Sequence, residues 1–335
     1  MKGKRLGLYF TLLYSAIFLI IGVIFRNFFN AFLLTFIGTM IVDGLANIIQ
    51  RFTKLPKLPA KIVALTLYFG VILWGLIMLI PKAFIEFSGF YELIANTIES
   101  RAWEDYIKGN EALLKMLNDI VDFLKPSFSE LLNYVVKTLA RQFPDMLVVA
   151  FFSILGTVYA SIYLENLIAV IPYLYPKGCR KDVTEFVEEL MRNTRRFISV
   201  IALNAMIIGV SFAVFFSIMK LPYAPLLAFW GFVTNFIPIV GTVFEIIPVL
   251  IFSLSLGLGK IFWIVVFLVI IHTFVFVLFF ELMKGYTRLN PVLLIFSILL
   301  AGQVFGMVGT FFGAPAALFA TVFFDKFVAP EFERE

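Results

Sequence analysis

The chain is written in apolar blocks long enough to cross a membrane, and this limits its folds more than any motif. A bilayer's hydrocarbon core is about 30 Å thick, so a spanning helix needs roughly 20 apolar residues in a row. Runs of that length fall at about 6–25, 28–49, 60–81, 145–171, 198–219 and 261–283, with longer stretches at 222–257 and 290–328. Lipid offers the backbone no hydrogen-bond partner, so such runs fold as helices. Of 335 residues, 61% are hydrophobic and 15% charged, whereas soluble domains carry about a quarter charged. The expectation is an all-α integral membrane protein, one polytopic domain over 1–335. Within it, 1–81 holds the N-terminal spans, 82–144 an extracytoplasmic segment, and 145–335 the core with a cytoplasmic linker helix at 178–197.

Met1–Arg5 followed by apolar Leu6–Phe25 has the outline of a secretory signal, but no small-x-small cleavage site precedes Arg26. A retained first spanning helix fits better. Positive charge then orients the spans. Lys2, Lys4 and Arg5 precede the first, and Arg51, Lys54, Lys57 and Lys61 separate the second from the third. Lys177, Arg180, Lys181, Arg192, Arg195 and Arg196 follow the fourth. By the positive-inside rule these regions are cytoplasmic, as are Lys284, Arg288 and both termini of a protein in the cytoplasmic membrane. The +5 net charge is therefore topogenic, and no nucleic-acid partner is implied.

The 82–144 segment falls outside, with seven Lys or Arg against nine Asp or Glu. Leu113, Leu117, Ile120, Val121 and Leu124 recur at helical spacing, as do Leu131, Leu132, Val135 and Leu139. Pro126 followed by Ser127-x-x-Glu130 reads as a capping box opening the second of these helices. They form a lid or interfacial layer on the bundle, or a surface for oligomer or partner contacts. Inside, Asp182-x-x-Glu185 opens a shorter amphipathic helix through Phe186, Val187, Leu190 and Phe197, lying at the interface.

Two apolar stretches are too long for one span and carry helix breakers. The first centres on Asn235-Phe236-Ile237-Pro238-Ile239-Val240-Gly241-Thr242, with Pro248 beyond. The second centres on Gly302-Gln303-Val304-Phe305-Gly306-Met307-Val308-Gly309, then Gly313-Ala314-Pro315. Pro removes a backbone donor and Gly permits a tight reversal. The arms of the first, about 15 residues each, reach roughly 22–24 Å, short of a crossing. Six spanning helices plus two broken, re-entrant hairpins in the C-terminal half follow from this. Opposed hairpins meeting near the midplane suit inverted-repeat transporters. Alternatively, the 4, 3, 4 spacing of Gly302, Gly306, Gly309 and Gly313 describes the small-residue face of one tightly packed helix.

Asn235-Phe236-Ile237-Pro238-x-x-Gly241 with Ile247-Pro248, and Asn290-Pro291 followed by Gly302, Phe305-Gly306, Gly309 and Ala314-Pro315, resemble the signatures of the autoinducer-2 exporter family. Arg196-Phe197-Ile198 and the outer segment fit the same plan. The resemblance implies transport of small solutes without ATP-hydrolysing machinery, either autoinducer-2 export or sodium (lithium)/proton antiport. It also implies a homo-oligomer, with a pentamer among the family's known states. Glu245 departs from the pattern, standing where the family is apolar or small.

An ionisable residue inside a span is costly and therefore a candidate for function. Glu245 is a candidate coupling-ion or proton site, or else pairs with a bundle residue such as Arg196 or reaches an interface. His272 is a packing residue or a proton relay, Glu281 an interfacial partner of Lys284, and Asp43 and Asn47 share a face on the second span. The neutral Asn235, Thr242 and Gln303, with the breakers Pro238, Gly241, Gly306 and Gly309, form the expected solute site.

Enzyme signatures are missing from the sequence. It has no phosphate-binding Gly-x-x-x-x-Gly-Lys-Ser/Thr loop, and one cysteine and one histidine make neither a metal cluster nor a triad. No cofactor is expected. Three functions stay open: a secondary transporter of a small solute or cation by alternating access, a passive channel in an oligomeric ring, and an accessory protein recruiting partners through 82–144.

Overall fold

In the computed structural model the structure describes residues 2–75, 77, 80–101, 103–107, 109, 111–238, 240–284 and 290–332. Their regular elements are all helical: α1 (Lys2–Ile24), α2 (Arg26–Thr53), α3 (Lys57–Trp74), α4 (Ile80–Ser100), α5 (Glu111–Val170), α6 (Arg180–Ile218), α7 (Ala224–Thr234), α8 (Val240–Ser253), α9 (Leu258–Met283), α10 (Pro291–Phe305), α11 (Met307–Phe323) and α12 (Ala329–Phe332). Seven stretches among them are long and apolar enough to span a membrane: the six expected runs, plus Val308–Val328. The protein is an all-α, multi-pass membrane protein.

Lipid-facing helices are apolar all round, so only packing distinguishes their faces. In α9, Ile264, Leu268, Ile271 and Val275 are buried at steps of four, three and four, while Phe262, Val265, Val269, Phe276 and Phe280 are exposed. The first set faces protein, and the second is the surface left for acyl chains.

The chain forms two compact units. One comprises Met1–Gly70, Leu147–Ala202 and Glu281–Glu335, and the other Val71–Met146 and Leu203–Phe280. In the second, Ile208, Phe212 and Phe216 of α6 pack with Leu227 of α7, Val249 and Phe252 of α8, Ile264 and Leu268 of α9, and Phe90 and Ile94 of α4. The α7–α8 hairpin is thus part of that unit's core.

Two amphipathic helices differ from expectation. The segment after Pro126 does not start a new helix, because α5 runs unbroken for 60 residues, roughly 90 Å at 1.5 Å per residue. Leu117 packs on the core and Val121 is buried in it, but Leu113 and Ile120 are exposed. The side chains of Leu124, Ser127, Leu131, Leu132, Val135 and Leu139, and Arg288 as a whole, lie outside the described residues. The linker helix expected at 178–197 is likewise no separate element. It is the first half of the 39-residue α6, since no Gly or Pro interrupts Arg180–Ser199. Its apolar face buries Val183, Phe186 and Val187 against Val322 and Phe327.

The second broken stretch is a tight antiparallel pair, α10 and α11, turning on Gly306 alone at φ 69°, ψ −150°. Only glycine adopts that conformation without strain. Asn290 opens the pair: its side chain accepts from the Val292 amide at 2.8 Å, and Pro291 takes the first helical position. Small residues bring the arms together. A Cβ on Gly309 would sit 2.0 Å from the Ala301 carbonyl oxygen, and one on Gly313 would sit 2.4 Å from the Ile298 Cα. The hairpin and the small-residue face are therefore the same feature.

This second hairpin meets the start of α2. Gly306 lies beside Arg26, at the start of α2, and the Phe305 ring sits 4.9 Å from that of Phe29. Near the other end of α1, Gly7 abuts Phe327. The hairpin therefore packs on α2, where the Phe312 ring also lies 5.9 Å from that of Phe36. Helix α11 continues through Pro315 and is followed by a π-helical turn, Phe324–Val328.

Gly309→Ala is expected to destabilise the protein by about 1–3 kcal/mol through overpacking. Gly70→Ala, where a Cβ meets nothing within 4 Å, should leave stability unchanged or slightly raised. Thermal unfolding of the two variants in detergent checks both outcomes.

Candidate functional site

The first broken stretch has the shape expected of a re-entrant hairpin. Its arms α7 and α8 have 11 and 14 residues, roughly 17 and 21 Å long and each too short for a 30 Å core. Helix α7 ends at Thr234, ahead of Pro238. The chain reverses through bonds from the Ile237 amide to the Thr234 carbonyl and from the Gly241 amide to the Ile237 carbonyl, both 2.9 Å. Gly241 is required by space: a Cβ there would stand 1.8 Å from the Thr234 carbonyl oxygen.

Pro248 lies inside α8. Lacking an N–H, it cannot donate to the carbonyl four residues back, that of Phe244. An orphan carbonyl in a membrane interior costs several kcal/mol. Here the Trp230 indole Nε1 donates to Phe244 O at 2.9 Å. The indole of one arm thus supplies the bond that the proline of the other removed, and it ties α7 to α8.

The reversal brings together the ionisable and amide groups of the site. Glu245, one turn beyond Gly241, is fully buried. Asn235 Nδ2 donates to the Gly231 carbonyl at 2.8 Å and to Glu245 Oε2. The other carboxylate oxygen, Oε1, lies 3.3 Å from His272 Nε2 of α9. That is ion-pair distance, but neither atom makes a hydrogen bond among the described residues. A carboxylate, an imidazole and an amide thus converge at the break. Such a group can take up and release a proton, with the imidazole and amide offsetting the charge that the carboxylate carries when ionised.

In the sequence Glu245, His272 and Asn235 stand apart, and the fold joins them. The signal was the rarity of ionisable residues in this apolar stretch, since spacing alone cannot relate α8 to α9. Arg196 Nε donates to Leu282 O at 2.8 Å, satisfying a carbonyl in the last turn of α9. Thr242 and Pro238 are half-buried at the same break. Gln303, Gly306 and Gly309 belong to the other unit, in the α10–α11 pair, where Gln303 is exposed. Glu281 pairs with Lys284 at 3.8 Å, with both side chains exposed. Asp43 and Asn47 part company: Asp43 is buried in a charged cluster of its own, and Asn47 is exposed. Among the described residues no group of three His, Cys, Asp or Glu stands together to hold a metal ion.

Comparison with known proteins places these features in a family. The model of the AI-2E family of transporters matches residues 8–329. A Thermotoga maritima protein, provisionally named a transport protein, is 39% identical over 325 residues, covering 97% of this chain and 96% of its own. A second Thermotoga maritima protein with the same name is 24% identical, covering 96% of this chain and 97% of its own. A Bacillus subtilis relative, also provisionally a transport protein, is 22% identical, covering 95% and 90%.

Trp230→Phe keeps the ring and removes the donor, so the Phe244 carbonyl loses its partner. The expected cost is about 1–3 kcal/mol, measured as a lower thermal midpoint. Trp230→Phe combined with Pro248→Ala, which restores the helical amide, should recover most of the loss.

Proposed function

The chain belongs to the AI-2E family of transporters, and from that membership we propose a secondary transporter with Glu245, His272 and Asn235 as its proton-coupling site. It exports a small polar solute by alternating access. The observation that carries this reading is a fully buried carboxylate at a helix break, in contact with the chain's single histidine and an amide. A charge at that position is expensive unless it is shared or exchanged. In the proposed cycle the Glu245 carboxylate takes up a proton from one side and gives it up to the other. His272 and Asn235 offset its charge in the deprotonated state, in which the hairpin is open to solute.

The solute meets the neutral groups of the same break, Asn235, Thr242 and the main chain around Pro238 and Gly241. Half-length arms leave polar backbone at membrane depth, the arrangement transporters use to contact small polar molecules. Gln303, Gly306 and Gly309 have a different part: the two glycines set the close α10–α11 pairing, and Gln303 contacts solute leaving the protein. Both termini face the cytoplasm in this reading, and the protein works in the cytoplasmic membrane as a homo-oligomer. A second reading, sodium (lithium)/proton antiport, draws on the same Glu245, because a carboxylate is also the charge that a cation needs.

The test is flux in proteoliposomes with an imposed pH or sodium gradient, an internal pH dye and labelled solutes. Glu245→Gln and His272→Gln should each abolish gradient-driven proton movement while the protein stays folded and monodisperse. Coupled flux surviving both substitutions overturns the assignment. Sodium-driven proton movement with no labelled solute required would select antiport over export.

A further inference from the structure

The unit that contains α1 and the α10–α11 hairpin holds a second set of buried charges, apart from Glu245. Asp43 of α2 lies 3.0 Å from Arg195 Nη2 of α6 and 3.5 Å from Lys61 Nζ of α3. Lys61 Nζ also donates to the Ser161 carbonyl of α5 at 2.8 Å. The Asp43 side chain is 5% exposed, that of Lys61 13% and that of Arg195 33%.

Two cations against one carboxylate leave an excess of one positive charge. Buried ion groups persist only where their charge and remaining hydrogen-bond capacity are met. Among the described residues they are not fully met. Arg195 Nε, Ser161 Oγ and Ser199 Oγ are buried with no hydrogen-bond partner among the described residues, as is Asp43 Oδ1 beside Lys61. Ser161 is fully buried, and Ser199 stands one turn beyond Arg195 on α6. Gly44, next to Asp43, makes room for the Ser199 hydroxyl, which would lie 2.2 Å from a Cβ at that position. Three of the four idle atoms are donors, and they accompany net positive charge. A cation site would instead present idle acceptors around net negative charge.

We propose that this cluster binds one phosphate-type oxyanion. Arg195 Nε–H and the Ser161 and Ser199 hydroxyls donate to it, and Lys61 and Arg195 supply the balancing charge. Asp43 is the positioning residue: it holds both cations in place and limits the site to a single negative charge. The partial exposure of Arg195 gives the ligand its entrance. Free inorganic phosphate and the phosphate of a lipid headgroup present the same oxygens, and both satisfy the site.

The test uses the full chain purified in detergent. Inorganic phosphate is titrated calorimetrically, and native mass spectrometry reads any phospholipid retained through purification. Phosphate binding that weakens about tenfold or more in Arg195→Gln, and less in Ser161→Ala, supports the site with a free ligand. A retained phospholipid lost from both variants supports it with a lipid ligand. Ser161→Ala removes only a hydroxyl, so it carries the test if Arg195→Gln does not fold. Glu245→Gln must behave as the unsubstituted protein in both assays, which separates this site from the proposed coupling site. Neither ligand on the unsubstituted protein, or equal binding by all variants, overturns the proposal.

Discussion

The constraint on which the rest of this structure depends is that a backbone broken within a membrane must satisfy its own polar groups. Water is not there to do it. Pro248 removes the amide that would bond Phe244 O, and the Trp230 indole replaces it at 2.9 Å. That single exchange lets α8 carry a proline and pins it to α7. Glu245 lies one residue beyond Phe244, so the bond that repairs the helix also fixes where the carboxylate points. Asn235 completes the arrangement from the reversal itself, bonding both Gly231 O and Glu245.

The two breaks solve the same chemical problem differently. In the first, short arms and a proline-containing turn leave a gap that side chains fill with polar groups. In the second, the turn is one glycine, and the arms close on each other through Gly302, Gly309 and Gly313 until little but backbone separates them. Close packing of small residues leaves no room for a polar pocket between the arms. The α7–α8 hairpin therefore suits binding, and the α10–α11 hairpin suits a stiff element.

Charge is handled with similar economy. Arg196 caps a helix end, while Lys61 and Arg195 are drawn inward to Asp43. In the sequence all three count equally as cytoplasmic positive charge. Their separate fates follow from which neighbour each helix face meets, a matter on which the positive-inside rule is silent.

The sequence by itself determined the all-helical membrane class, the positions of the spans and the existence of both hairpins. Each depends on local quantities: the length of an apolar run, the missing amide of proline and the conformational freedom of glycine. Single-residue identities such as Glu245 and His272 also announced themselves, since ionisable groups in such runs are rare. Only the tertiary structure decided that these two are partners, because the approach of α8 to α9 is set by packing over long range. It also decided that Gly306 reaches Arg26 at the start of α2, and that the two amphipathic helices continue into α5 and α6. Helix continuation rests on cooperative bonding between successive turns, and the capping pattern at Ser127-x-x-Glu130 was too weak to interrupt it.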